Sequence, residues 1–192
     1  MGLGNPGRKY ESTRHNAGRR ALEKLAEELG VKLKEPTARL RPGKPAARLA
    51  EASAGGARLV LATPATFMNE SGRAVSGLVR WFKVPIESVI VLHDDIDLGE
   101  GVLRIKKGGG SGGNHGVESI EGSTGSREFF RVRIGVGRPL SANQEPADFV
   151  LKPMSKNEAE ALTAAESRAA EAALVLIEEG LEAAVGRFNG RG

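Results

Sequence analysis

Three histidines, at positions 15, 93 and 115, are the side chains best suited to move a proton at neutral pH in this chain of 192 residues. Each adjoins a turn or a glycine cluster rather than a core face. His15 stands out because Asn5, Thr13 and Asn16 give it polar neighbours where a helix begins. A helix N-terminus disfavours the imidazolium, so His15 is expected to be neutral and able to accept a proton. Its best partner is Asp94, which follows the short apolar run Ser88-Val-Ile-Val-Leu92. A carboxylate delivered by a buried strand can hold an imidazole's Nδ1–H, fix the tautomer and stabilise the charged form. Asp95 and Asp97 are the competing choices, or else solvated turn residues. The three carboxylates could hold a magnesium ion, but no phosphate loop or second acidic cluster accompanies them, so no metal is expected.

The nucleophile follows from what is missing. Cysteine is absent, and Ser111 in Gly110-Ser-Gly-Gly lacks the Gly-x-Ser-x-Gly spacing of a nucleophile elbow. Hydrolysis would therefore use water deprotonated by a histidine. Asn5, Asn69 and Asn114 can supply amide donors and acceptors to a polar substrate or a carbonyl, although a loop asparagine is more often a turn former. The run Gly108-Gly-Gly-Ser-Gly-Gly-Asn-His-Gly116, preceded by Lys106 and Lys107, suits either a phosphate-contacting loop or a mobile connection. Lys106 and Arg133, on what read as adjacent strands, are candidates for a phosphate clamp.

The opening Gly2-Leu-Gly-Asn-Pro-Gly7 matches the glycine spacing of a dinucleotide-binding turn, a weak signal alone. Pro6 has no N–H to offer a pyrophosphate, no strand precedes Gly2, and the acid expected about 20 residues on would be Glu23, inside a helical pattern. A tight loop aiming Asn5 and Tyr10 into a site, with His15 at the start of the next helix, is the better reading.

The elements that must position these groups alternate between helix and strand. Ala21, Leu22, Leu25, Ala26 and Leu29 recur at helical spacing and stop at Gly30. Pro36, Pro42 and Pro45 mark a basic loop. Residues 46–53 and 58–63 flank the Gly55-Gly56 turn of a hairpin. A helix capped by Asn69 or Ser71 carries Val75, Leu78, Val79 and Phe82. Residues 88–92 form a buried strand that ends before His93-Asp-Asp-Ile-Asp97, and residues 102–106 and 130–136 alternate as strands. Ser155 and Glu158 form a capping box for one long final helix through Ala184. The expectation is a single α/β domain over residues 1–192, a twisted mixed sheet flanked by helices. The formal charge of +4 and pI near 9.6 suit a polyanionic partner. No apolar run approaches the ~20 residues of a membrane helix, so a cytoplasmic protein without membrane contact is expected.

Several blocks in the same order resemble the bacterial peptidyl-tRNA hydrolase family: residues 2–7, Tyr10, Arg14-His-Asn-Ala-Gly18, Phe67-Met-Asn69 with Ser71-Gly72, His93-Asp-Asp-Ile-Asp97-Leu98, the glycine loop, and Arg131-Val-Arg-Ile-Gly-Val-Gly137. The resemblance implies a monomeric, metal- and cofactor-free esterase that releases a peptide from the 3′ end of tRNA. It implies that His15 activates water, Asp94 keeps it basic, and Asn69 holds the peptide or the water. Asn5 would discriminate N-blocked from free aminoacyl ends, Tyr10 and Phe67 would meet the tRNA acceptor end, and Lys106 and Arg133 would hold its phosphates. Two departures stand out. The family usually carries Gly-His-Asn-Gly where this chain has Gly113-Asn-His-Gly116, so either Asn114 or His115 could substitute for the usual substrate-binding asparagine. The family also has a short apolar strand before the first glycine, where this chain has only Met1; a late-assigned start or a truncation is the expectation there. A non-catalytic RNA-binding protein on the same fold is the alternative function, and a nucleotide-binding oxidoreductase the third.

Overall fold

In the computed structural model, which describes residues 1–34, 46–139, 141 and 143–190, a β layer is covered by helices on both faces. The basic loop expected around Pro36, Pro42 and Pro45 lies outside the described residues. Strands β1 (Ala47–Ala54) and β2 (Ala57–Pro64) form the expected antiparallel hairpin. Strands β3 (Ile90–Asp95), β4 (Leu103–Lys107) and β5 (Phe130–Gly135) form a mixed sheet in the order β3-β5-β4, with β3 parallel and β4 antiparallel to β5.

The first three residues connect the hairpin to the sheet. Gly2 N–H donates to the Ala62 carbonyl at 3.0 Å, Leu3 N–H to Leu92 O at 3.0 Å, and Leu92 N–H to Met1 O at 2.8 Å. The segment 1–3 thus occupies the place between β2 and β3, parallel to β3 at Gly2 and Leu92. Beyond it lies a cleft of about 500 Å³ lined by Met1, Leu59, Leu61, Leu78, Leu92 and Phe130. The Met1 ammonium donates to Ile90 O at 2.8 Å, and burial pulls its pKa down to about 5.

On one face of the sheet, α1 (Ala17–Glu28) and α5 (Lys156–Glu178) pack Ala21, Leu22, Leu25, Ala165, Ala169 and Leu176 against Leu92, Ile105, Val132 and Ile134. On the other, α2 (Ser71–Phe82) and α3 (His115–Thr124) pack Val75, Val117 and Ile120 against Val91 and Phe129. Helix α1 ends in a Schellman closure, with Gly30 in the left-handed region (φ 69) and Val31 N–H on Ala26 O at 2.9 Å. The Ser155–Glu158 capping box is present in both directions.

Several expectations need correction. Neither Asn69 nor Ser71 caps α2; Glu70 stands at the N-cap without a side-chain bond, and Ser71 is buried as the first helical residue. Strand β3 continues through His93, Asp94 and Asp95, because parallel pairing with Arg133, Ile134 and Gly135 holds them extended. The expected final helix is two, since the chain turns at Gly180 (φ 88) before α6 (Leu181–Phe188). Helix α3 carries too few apolar residues to show a periodic stripe, and α4 (Pro146–Leu151) has only six residues with Pro146 at its start.

Glycines in the opening loop and in α1 serve close packing. A Cβ at Gly18 would stand 2.1 Å from the Leu92 carbonyl oxygen, and one at Gly2 would stand 2.5 Å from the Gly18 carbonyl oxygen. One at Gly4 would meet the Arg19 Cβ and the Asn16 Oδ1, each at 2.9 Å. Two of the three glycines that mimic a dinucleotide turn are therefore occupied with seating α1 on the sheet. We expect Gly18→Ala to lose about 1–3 kcal/mol in denaturant melts, the usual cost of overpacking against backbone. Gly186→Ala, which meets nothing within 4 Å in α6, should gain up to about 1 kcal/mol. Equal effects at both positions would contradict this account of Gly18.

Candidate active site

Immediately before α1, a short 3-10 turn, Arg14–Asn16, is buried throughout. Its flanks are fixed by side chains. Thr13 Oγ1 donates to the Tyr10 carbonyl at 2.8 Å. Asn16 clamps the opening loop, accepting from Asn5 N–H at 2.8 Å and donating to Asn5 O at 3.0 Å. Arg14 pairs with Glu158 at 2.5 Å and stacks 4.2 Å over the Phe149 ring, tying the turn to α5 and α4.

This framework delivers His15 Nδ1 to 2.8 Å from Asp94 Oδ2, both residues being buried. Asn114, at the N-cap of α3, holds the other carboxylate oxygen. Its Nδ2 donates to Asp94 Oδ1 at 2.9 Å and to Asp94 O at 3.2 Å, while its Oδ1 accepts from Gly116 and Val117 N–H. The two exchanged loop residues are thus placed differently. Asn114 is committed to the carboxylate and the helix cap, whereas the His115 side chain is 68 % exposed and reaches Glu118 at 3.2 Å.

The electrostatics differ from the expectation for a helix start. Burial disfavours the charged form of His15, but the Asp94 charge and hydrogen bond outweigh it, so the pKa is raised above the ordinary 6.5 rather than lowered. Burial likewise opposes Asp94 ionisation, yet His15, His93 and Asn114 together hold its pKa below the usual carboxylate value. An ionised Asp94 only accepts, so Nδ1 of His15 carries a proton and Nε2 is the free base. His93 does not compete. It is fully buried, its Nδ1–H donates to Asp94 O at 2.7 Å, and burial pulls its pKa down to about 4.

Asp94 and Asp95 point to opposite faces, as successive strand residues must. Asp95 is buried and pairs with Arg133 Nε at 2.6 Å, so it is neither a solvated turn residue nor a rival for His15. Asp97, exposed, pairs with Arg138 and gives its backbone N–H to Asp95 Oδ1. Lys106 and Arg133 lie diagonally across β4 and β5, because Lys106 pairs with Arg131 and Arg104 with Arg133. Burial and the two neighbouring guanidinium groups, Arg131 and Arg133, lower the Lys106 pKa.

A pocket of about 330 Å³ opens in front of His15 and Asp94, walled by Gly112, Gly113, Asn114 and the α4 residue Val150. Tyr10 meets Phe67 edge-on, with ring centroids 6.3 Å apart, and Phe67 is 51 % exposed. Asn5 Oδ1 accepts from Met68 N–H at 2.8 Å, which joins the opening loop to the Phe67–Asn69 turn. Asn69 itself is exposed in that turn. Asn16 and Arg131 carry more than their places in the sequence suggest: Asn16, beside His15 in the chain, is signalled by its amide, whereas Arg131 meets the glycine loop only through the fold.

Comparison with known proteins identifies the family. The family model for peptidyl-tRNA hydrolase matches residues 1–192. The chain is 42 % identical over 189 residues to a peptidyl-tRNA hydrolase of Kineococcus radiotolerans, covering 98 % of this chain and 95 % of the relative. A peptidyl-tRNA hydrolase of Moorella thermoacetica is 40 % identical over 190 residues, covering 98 % and 96 %. A crystal structure of the Acinetobacter baumannii peptidyl-tRNA hydrolase superposes with a TM-score of 0.87 at 32 % identity, over 98 % of this chain and 92 % of that one. With its buried His15–Asp94 pair, this chain belongs to the peptidyl-tRNA hydrolase family.

Proposed function

We propose that this protein hydrolyses the ester between an N-blocked peptide and the 3′ end of tRNA, with His15 as the general base. The observation that carries the reading is the 2.8 Å contact of His15 Nδ1 with the buried Asp94 carboxylate, beside an open pocket. Nε2 takes a proton from water as the oxygen attacks the ester carbonyl carbon. The tetrahedral intermediate collapses by breaking the bond to the ribose oxygen, and Nε2–H returns the proton to that leaving oxygen. Asp94 stabilises the transient imidazolium and stays ionised throughout.

The other assignments rest on which atoms remain free. Asn5 Oδ1 is taken by Met68 N–H, which leaves Nδ2 to donate to a substrate carbonyl. An N-blocked end has an acyl carbonyl next to its α-nitrogen; a free aminoacyl end does not. Asn69, exposed on the adjoining turn, is the second amide, holding the peptide or the water. Tyr10 and Phe67 form an aromatic rim for the terminal nucleotide, where stacking adds affinity without demanding a particular base. Lys106 and the guanidinium nitrogens of Arg133 not used by Asp95 face phosphates of the acceptor end. Catalysis in this reading needs no metal or cofactor, and the working form is a monomer in the cytoplasm. Among the described residues no helix is long and apolar enough to cross a membrane.

Release of tRNA from N-acetylated aminoacyl-tRNA, but not from the unblocked form, is the expected activity. No release from the blocked substrate would instead favour an RNA-binding protein without catalysis. His15→Ala should lower kcat by about 10²–10⁴-fold while tRNA still binds in a filter assay; full activity would move the base to His115. Asn5→Asp keeps an acceptor for Met68 N–H but removes the Nδ2 donor. It should reduce kcat/KM for the blocked substrate by at least about 10-fold, and an unchanged value would remove Asn5 from recognition.

A further inference from the structure

Arg131 is the largest fully buried side chain among the described residues, at 1 % exposure, and the chemistry above does not use it. Among the described residues no carboxylate pairs with it. Its two Nη atoms are instead bound by main-chain carbonyls, while Nε has no hydrogen-bond partner and the Glu121 and Asp95 carboxylates act on the group only through their charge. Nη2 donates to Gly108 O and, at 2.5 Å, to Gly109 O, and Nη1 donates to Gly110 O at 2.8 Å. Three successive carbonyls of the glycine loop thus converge on one side chain. The Phe129 ring lies 5.9 Å from the guanidinium carbon.

Burying a guanidinium is costly, and an apolar side chain of similar volume often serves stability as well or better. What an apolar group cannot do is bind three carbonyls in a fixed fork. The loop needs that. Gly108, Gly109, Gly112 and Gly113 all have positive φ, and glycines lose more conformational freedom on ordering than any other residue. Ser111 ties the second half of the loop, its hydroxyl donating to Glu118 at 3.1 Å and accepting from Gly113 N–H at 3.2 Å, but Gly108, Gly109 and Gly110 have no side chains with which to hold the first half. The loop's far end is Asn114, whose Nδ2 holds Asp94 Oδ1.

We propose that Arg131 is a positioning residue for the hydrolysis: by gathering the carbonyls of Gly108, Gly109 and Gly110, it fixes the loop that sets Asn114 against Asp94. The pathway runs from Arg131 through the loop to Asn114, then to the carboxylate that orients His15. Arg131 is too deeply buried to touch tRNA itself, unlike Arg133, which is partly exposed on the same strand. The proposal rests on the esterase reading above.

The test is a double-mutant cycle assayed on N-acetylated aminoacyl-tRNA. Arg131→Lys and Arg131→Met are each made in the native chain and in Asn114→Ala, with folding checked by thermal melts. Lysine keeps the charge without the fork; methionine removes the charge that must be buried, so one variant can fold where the other does not. In the native background each should lower kcat by about 10-fold with KM and the salt dependence little changed, since small displacements of a reacting group are expensive. In the Asn114→Ala background the same change should alter kcat by less than about two-fold, because the positioned group is gone. Equal losses in both backgrounds, no loss at all, or a raised KM with a flatter salt dependence would overturn the proposal. Failure of both variants to fold would also overturn it, by making Arg131 a requirement of the sheet alone. An inactive native protein would instead sink the esterase reading.

Discussion

A carboxylate with almost no exposure to water must be surrounded by donors, and the molecule is arranged around meeting that demand at Asp94. Its oxygens are held by His15 from one side and by Asn114 from another, and its backbone carbonyl receives His93 and Asn114. Removing either His15 or Asn114 leaves a buried charge undercompensated. The remaining features bring these donors within reach. Gly18 lets α1 rest on the carbonyl of Leu92, Gly2 and Gly4 let the opening loop rest on α1, and Asn16 fixes that loop to the turn that carries His15.

Strand alternation gives the same segment a second role. Asp94 looks toward α1 and His15, while Asp95 looks toward Arg133 and the basic side of β4 and β5. One strand end therefore separates the proton-transfer pair from the groups proposed to meet phosphate. Arg131 lies on that same basic side, where its donors are turned onto the glycine loop rather than toward solvent.

Much of this is legible in the residues. Periodicity places α1, α2, the hairpin and the core strands; the Ser155–Glu158 capping box marks its helix start to the residue. His15 and Asp94 are named by chemical type and by their place at element ends. Less legible is anything decided by tertiary contact. The sign of the His15 pKa shift depends on a partner 79 positions away, whose charge and hydrogen bond overcome burial. The continuation of β3 through three polar residues depends on pairing with β5. The engagement of Asn114 depends on its being at once a helix cap and a neighbour of Asp94. The segment 1–3, too short to read as a strand, gains its place only from partners on both sides.

The central claim is that the buried Asp94 charge holds His15 in its Nδ1–H form and raises its pKa. Titrating His15 by NMR in the native protein and in Asp94→Asn tests it most directly. The native midpoint should lie above 6.5, with the proton on Nδ1 in the neutral form. In Asp94→Asn the burial remains but the charge is gone, so the midpoint should fall below 6.5. Activity, which needs neutral His15, should then persist to lower pH at a reduced kcat. A midpoint unmoved by Asp94→Asn, or a native value below 6.5, would contradict the account.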